Sequence, residues 1–112
     1  MAFARVCSLD DLWEGDMAAH EIDGKPIVLI YPIDGEVLAI QGYCPHQQFL
    51  LAEGDFDGHK VLTCSAHLWQ FDVTTGQGVN PEDCELARYP VKIENDDIYV
   101  DIVGIDPKRI GV

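Results

Sequence analysis

The chain has 112 residues, of which 47% are hydrophobic, enough for one domain with its own core and too few for two comfortable ones. Its 20 acidic residues outnumber its 7 basic residues, which gives a net charge of -13. Such a charge repels phosphate backbones and anionic lipids, so it argues against nucleic-acid or membrane binding and favours partners with basic faces. The alternative is that the acidic residues only keep the protein soluble. We expect one domain over residues 1–112 that is monomeric when free.

The N-terminal segment has no long apolar stretch and turns acidic at Asp10 and Asp11, unlike a secretory signal. The longest apolar run, residues 27–31, is far shorter than the roughly 20 residues that a membrane helix requires. We therefore expect a soluble, cytoplasmic protein. In a reducing compartment, its 4 cysteines are better explained as metal ligands or thiols than as disulfides.

Short stretches of alternating apolar and polar residues, bounded by turn residues, indicate an all-β fold. Asp-Gly pairs at 23–24 and 34–35 favour tight hairpin turns, because glycine takes positive φ without steric cost. Ser8 can cap a single helical turn, and Leu12 and Trp13 would close one end of the core. The expected strands span residues 3–6, 17–22, 26–31, 36–41, 61–63, 69–73, 89–94 and 97–102.

Two short segments each place one cysteine before one histidine: Cys-Pro-His at 44–46 and Cys-Ser-Ala-His at 64–67. In a turning loop, side chains two or three residues apart can meet, so each segment can hold a metal through two donors. The four donors suit either a tetrahedral zinc site or a two-iron cluster in which two histidines replace two cysteines on one iron. Structural zinc sites more often pair cysteine with cysteine, so the mixed segments favour the cluster.

These two segments resemble the Rieske [2Fe–2S] motif. The stretches 7–13, 64–69 and 80–84 further resemble the Rieske ferredoxin components of toluene monooxygenases, a similarity that covers nearly the whole chain. The resemblance implies a Rieske-type antiparallel β-sandwich with a small cluster-binding subdomain built from two loops. Their expected bounds are about 42–49 and about 64–69, with a covering proline loop at about 76–83.

The resemblance implies a role in electron transfer. A cluster held by two cysteines and two histidines is coordinatively complete and keeps no position open for water or substrate, unlike a catalytic metal site. No catalytic residue and no enzyme activity of its own are expected. The resemblance implies transfer of one electron at a time from an NADH-dependent flavin and iron–sulfur oxidoreductase to the diiron hydroxylase of an aromatic, toluene-type monooxygenase. One alternative is the equivalent carrier of a ring-hydroxylating dioxygenase, and another is a zinc-stabilised binding module without a redox role. The ligands expected for one [2Fe–2S] cluster are Cys44, His46, Cys64 and His67.

Four positions predict a low reduction potential. High-potential Rieske proteins carry an extra cysteine in each segment, and these two cysteines form a disulfide that braces the cluster. The matching residues here are Phe49 and Ala66. Those proteins also place a serine hydroxyl and a tyrosine hydroxyl near the cluster sulfurs. At the matching loop positions this chain has Trp69 and Phe71, which carry no hydroxyl group. Fewer hydroxyl donors stabilise the reduced cluster less, so we expect a potential toward the low end of the roughly -150 to +300 mV Rieske range.

The other cysteines and histidines have plainer interpretations. Cys7 and Cys84 lack a partner segment and are predicted to be buried or spare thiols that serine can replace. His20 and His59 are predicted to serve surface roles. Trp69 either belongs to a docking rim or packs over the cluster. The residues that could form such a rim beside the histidines are Gln47, Gln48, Leu68 and Trp69.

Overall fold

The computed structural model describes residues 3–44, 50–64, 69–80 and 84–105. Within these ranges the chain forms antiparallel strands and single turns of 3-10 helix at Leu9–Asp11 and Leu51–Glu53, so the predicted all-β class is confirmed. Among the described residues, no helix has the length and apolar character needed to cross a membrane. The strands are β1 (Ala4–Ser8), β2 (Met17–Ile22), β3 (Lys25–Ile30), β4 (Leu38–Gln41), β5 (Asp55–Phe56), β6 (Val61–Thr63), β7 (Gln70–Asp72), β8 (Gly78–Asn80), β9 (Arg88–Tyr89), β10 (Val91–Glu94) and β11 (Asp97–Val100).

The described strands form three antiparallel sheets. Their strand orders are β1-β11-β10 in the first sheet, β2-β3-β4-β9 in the second and β5-β6-β7-β8 in the third. Strand β3 contributes to two apolar cores, because successive residues of a strand point to opposite faces. Ile27 and Leu29 lie in a first core with the first sheet, and Val28 and Ile30 lie in a second core with the third sheet. Burial on both faces explains the unbroken apolar run of β3.

The second core joins the second sheet to the third sheet, and it contains three of the four cysteines. Its buried members are Val28, Ile30, Ile40, Cys44, Leu51, Leu62, Cys64, Phe71, Val73, Cys84 and Leu86. Cys7 lies instead in the first core. The predictions that Cys7 and Cys84 are buried are therefore confirmed.

The hairpin turns agree with their sequence signals. Asp23 and Gly24 both take positive φ, 50° and 79°, which is the geometry of the tight turn that joins β2 to β3. In the turn near Gly35, however, the residue with positive φ is Asp34, at 59°. Aspartate tolerates this conformation better than most residues do, so the predicted turn forms without using the glycine in that way.

The capped turn after β1 is present, but one of its predicted contacts is wrong. The Ser8 hydroxyl accepts from the Asp10 N–H at 3.2 Å, and the Asp11 carboxylate accepts from the Ser8 N–H at 3.3 Å. Leu12 is buried as expected, whereas Trp13 is 75% exposed. The chain turns outward there, with an Asp16 N–H to Trp13 carbonyl bond of 3.0 Å, so Trp13 does not close the core.

The strand predicted at 89–94 is wrong as a single element. Pro90 separates β9 from β10, and the two strands belong to different sheets. Tyr89 pairs with Ala39 in the second sheet, and Val91 pairs with Val100 in the first. Proline has no N–H to donate to a ladder, and the Pro90 carbonyl accepts from the Asp101 N–H at 3.1 Å. The proline therefore lies where the chain changes sheet.

Candidate metal centre

The structure brings both predicted cysteine ligands into one apolar core. Cys44 follows β4 and is 4% exposed, and Cys64 follows β6 and is fully buried. All four cysteines of the chain, each among the described residues, are thiols. His46 and His67 lie outside the described residues, so the set of four ligands stays a prediction.

Backbone hydrogen bonds close the first loop at its base. Tyr43 and Leu50 form an isolated antiparallel bridge across residues 44–49. Immediately beyond this bridge, the Leu51 N–H donates to the Gly42 carbonyl at 2.8 Å. Leu51 is fully buried in the second core, and this anchors the returning end of the loop. The position of Cys44 is therefore fixed by hydrogen bonds on either side of it.

The second loop is closed in the same way. The Cys64 N–H donates to the Trp69 carbonyl at 2.7 Å, and Thr63 pairs with Gln70 in the β6–β7 hairpin. The Trp69 side chain is partly buried and packs against the second core. This contact favours the packing role for Trp69 over a purely superficial position in a docking rim.

Close backbone contact between β5 and β6 brings the two loops together. Gly54 leads from the first loop into β5, and a Cβ at this position would overlap the Thr63 carbonyl oxygen and come within 3.3 Å of the Cys64 Cα. Its φ of -84° is available to other residues. Glycine is thus needed for this contact and not for its backbone angles. The sequence gives no signal for this role, since Gly54 lies outside any Asp-Gly or Asn-Gly pair.

The third loop also starts from paired backbone. Gln77 and Glu85 form an antiparallel bridge, and the Gly78 N–H donates to the Cys84 carbonyl at 2.8 Å. Strand β8 occupies part of the predicted 76–83 loop, and Pro81 lies outside the described residues. The adjacent Cys84 side chain is 2% exposed and shares the second core with the two predicted cysteine ligands.

The pKa values of Cys7, in the first core, and of Asp57, in the turn before β6, are both shifted. Burial raises the pKa of the Cys7 thiol, and the nearby Asp11 carboxylate adds to the effect. For Asp57, burial acts to raise the pKa, but hydrogen bonds from three backbone N–H groups outweigh it and lower the pKa below its ordinary value. Those bonds, 2.8 to 3.1 Å long, come from His59, Lys60 and Val61. They order the turn that precedes β6 and therefore the approach to Cys64.

The two predicted surface histidines occupy different environments. His59 is exposed in the turn before β6, and His20 is half-buried on β2, paired with Ile27 of β3. Neither residue neighbours Cys44 or Cys64 in the chain or in the strand pairing. Their predicted surface roles stay predictions.

The family model described as the Rieske [2Fe-2S] domain matches residues 2–90. The chain is 39% identical to the ferredoxin component of an alkene monooxygenase system from Xanthobacter autotrophicus, over 94% of this chain and 83% of that protein. It is 36% identical to the biphenyl dioxygenase ferredoxin subunit from Pseudomonas sp. strain KKS102, over 90% and 93% of the two chains.

Among solved structures, the ferredoxin of carbazole 1,9a-dioxygenase from Nocardioides aromaticivorans IC177 superimposes with a TM-score of 0.80 at 28% identity. The match covers 89% of this chain and 97% of that one. The chain therefore belongs to the Rieske [2Fe–2S] family, and within it to the ferredoxins that carry electrons in oxygenase systems.

Membership of this family implies one Rieske [2Fe–2S] cluster. The described residues fit such a group, because Cys44 and Cys64 are buried thiols in the same core, at the bases of two closed loops. The predicted fold, family and cofactor are thereby confirmed. The family match ends at residue 90, yet β10 and β11 complete the first sheet with β1, so the folded unit extends past the matched segment.

We predict that Gly54→Ala disturbs the site more than its small size suggests. The added methyl must move β5 away from β6 directly before Cys64, and we expect a loss of about 1–3 kcal/mol in unfolding free energy, as for overpacking, together with most of the bound iron. Thermal melting and iron analysis would measure the two effects.

Gly24→Ala is the matched control for this variant. It introduces strain at a φ of +79°, but no described atom lies within 4 Å of the new methyl, so we expect about 1–2 kcal/mol of destabilisation with full iron content. A Gly54→Ala protein with normal melting and normal iron would show that the close contact is dispensable.

Proposed function

We propose that this chain is the ferredoxin of a multicomponent monooxygenase acting on aromatic substrates of the toluene type. In this proposal it accepts electrons from an NADH-dependent flavin and iron–sulfur oxidoreductase and delivers them to a diiron hydroxylase. The observation that carries the proposal is the pair of buried cysteines, Cys44 and Cys64, at the bases of two closed loops. The monooxygenase assignment is supported by the 39% identity to the alkene monooxygenase ferredoxin.

In this proposal Cys44 and Cys64 hold one iron, and His46 and His67 hold the other. When bound, such a cluster accepts and releases one electron at a time. The second core excludes water from the two cysteine side chains, which are 4% and 0% exposed. The hydrogen bonds at the loop bases hold the backbone at both cysteines.

A dioxygenase partner is the second candidate. It is favoured by the 36% identity to the biphenyl dioxygenase ferredoxin over 90% of this chain. A solved complex pairs the oxygenase of carbazole 1,9a-dioxygenase with its ferredoxin, and this chain matches the aligned chain of that complex with a TM-score of 0.78 at 26% identity. Both candidates require a carrier of the same construction, so they differ in the partner and not in the cluster.

The single domain over 1–112, the monomeric state and the cytoplasmic location stay predictions. The net charge of -13 supports steering toward basic faces on both redox partners.

The first experiment is the visible and reduced-state EPR spectrum of the purified protein, with Cys44→Ala and Cys64→Ala as test variants. Both variants should lose the iron–sulfur spectrum, because each removes one of the two predicted thiolate ligands of the cluster. Cys7→Ala is the matched control, a buried cysteine in the first core, and it should keep the spectrum. A colourless wild-type protein with one zinc per chain would contradict the proposal.

We expect a low reduction potential. The Phe71 ring is fully buried in the second core, and the Trp69 side chain packs against the same core. Neither side chain carries a hydroxyl group that could donate to the cluster sulfurs. Phe49 and Ala66 lie outside the described residues. Redox titration should place the midpoint toward the low end of the Rieske range, and a midpoint above about +100 mV would contradict this expectation.

Reconstitution distinguishes the two partners. Reduced protein is mixed in turn with a diiron monooxygenase hydroxylase and with the oxygenase of a ring-hydroxylating dioxygenase, and turnover is measured at increasing salt. We expect faster turnover with the hydroxylase, and rates that fall with salt because exposed charges are screened beyond about 8 Å at physiological ionic strength. Exclusive turnover with the dioxygenase would select the second candidate, and salt-independent rates would leave the acidic charge to solubility.

A further inference from the structure

Gln41 is a polar side chain inside an apolar environment. It is the last residue of β4 and is 1% exposed. Its amide Nε2 donates to the Tyr43 carbonyl at 2.7 Å, and its Oε1 accepts from the Ala87 N–H at 2.8 Å. A buried polar group that loses its partner costs about 1–3 kcal/mol, so both bonds are needed for this amide to be tolerated.

These bonds connect two loops of the metal centre. Tyr43 immediately precedes Cys44, at the entry to the first loop. Ala87 lies on the segment that returns from the third loop, after Cys84 and before β9. The Gln41 N–H also donates to the Ala87 carbonyl at 3.1 Å. One residue therefore holds the entry of the first loop against the exit of the third.

The side chain continues the sheet where the backbone ladder stops. Strand β4 pairs with β9 through Ala39 with Tyr89 and Ile40 with Arg88. Beyond Gln41 the chain turns into the first loop, and the Ala87 N–H meets the Gln41 side chain in place of a backbone carbonyl. The amide thus replaces one of the two backbone hydrogen bonds of the Gln41–Ala87 pair, while the Gln41 N–H keeps the other.

We propose that Gln41 is a positioning residue for electron transfer. By fixing the Tyr43 carbonyl, it sets the direction in which the backbone enters Cys44, and it couples this direction to the segment behind the third loop. The inference rests on the proposed ligand role of Cys44. It assigns to Gln41 an effect on the environment of the cluster in addition to its effect on stability.

The chemistry of glutamine is specific for this position. An amide presents a donor and an acceptor at one end, and the structure uses both. Glutamate has nearly the same shape, but when ionised its carboxylate is an acceptor only and would face the Tyr43 carbonyl, another acceptor. Methionine has a similar length and lacks strong donors and acceptors, so it removes both bonds while keeping most of the volume.

The test compares Gln41→Met and Gln41→Glu with wild type, measuring iron content, melting temperature, reduced-state EPR g values and midpoint potential. Ile98→Ala is the control, because Ile98 is fully buried in the first core and its truncation should cost about 2–5 kcal/mol far from the loops. We expect the Gln41 variants to shift the g values and the midpoint, with the larger shift for Gln41→Glu. Ile98→Ala should lower the melting temperature and leave both spectroscopic readouts unchanged.

Unchanged g values and midpoint in Gln41→Met, with only a lower melting temperature, would overturn the proposal. If Gln41→Met loses its iron while Ile98→Ala keeps it, the positioning role is supported, and loss of iron in both variants would contradict it. A wild-type protein without an iron–sulfur spectrum would overturn the proposed function itself. An intact wild-type spectrum with unmoved Gln41 variants would overturn the positioning role alone.

Discussion

The burial of β3 on both faces is the constraint on which the rest of the structure depends. Alternate side chains of this strand enter two separate cores, and only the second core contains Cys44 and Cys64. The first core joins the first sheet to the second and adds stability at a distance from the loops. Side chains of the first core therefore stabilise the fold without belonging to the core that contains the predicted cysteine ligands. The two cores adjoin along β3, along β4 and at residues 86–87, where successive side chains enter different cores.

The loops of the metal centre depend on contacts made at their bases. Each of the three begins and ends in paired backbone, including the bond from the Cys64 N–H to the Trp69 carbonyl. Between the loops, Gly54 permits β5 to lie against β6, and Gln41 holds the first loop to the third. Because these contacts fix the ends, the loops themselves need no regular structure to present their side chains.

The sequence predicted the parts of this arrangement that depend on local chemistry. Alternation and turn residues identified β2 at 17–22, and the cysteine and histidine segments identified the candidate site. Trp13 and Pro90 show where local signals fail, since the exposure of one and the change of sheet at the other depend on how distant segments meet. Strands β5 and β8 are too short to show an alternation of apolar and polar residues in the sequence.

The roles of Gly54 and Gln41 were missed for a related reason. Gly54 acts through the Thr63 carbonyl, and Gln41 acts through Ala87, which is far away in the chain. A glycine outside a turn pair and a glutamine at a strand end carry no pattern of their own. Only the packed structure reveals what each of them touches.

The chain is similar to both monooxygenase and dioxygenase ferredoxins. This similarity is consistent with a separation between buried residues near the cofactor and exposed residues that a partner can contact. The buried residues of the second core include the two predicted cysteine ligands of the cofactor. The cofactor is the same in either system. A partner can contact only exposed groups, so differences in partner have to lie on the surface around the loops. Tyr43 and Val79, 40% and 43% exposed at the bases of the first and third loops, are apolar positions of this kind. Changes to such exposed side chains leave the buried side chains of Cys44 and Cys64 in place, so the same carrier fold is compatible with different partner surfaces.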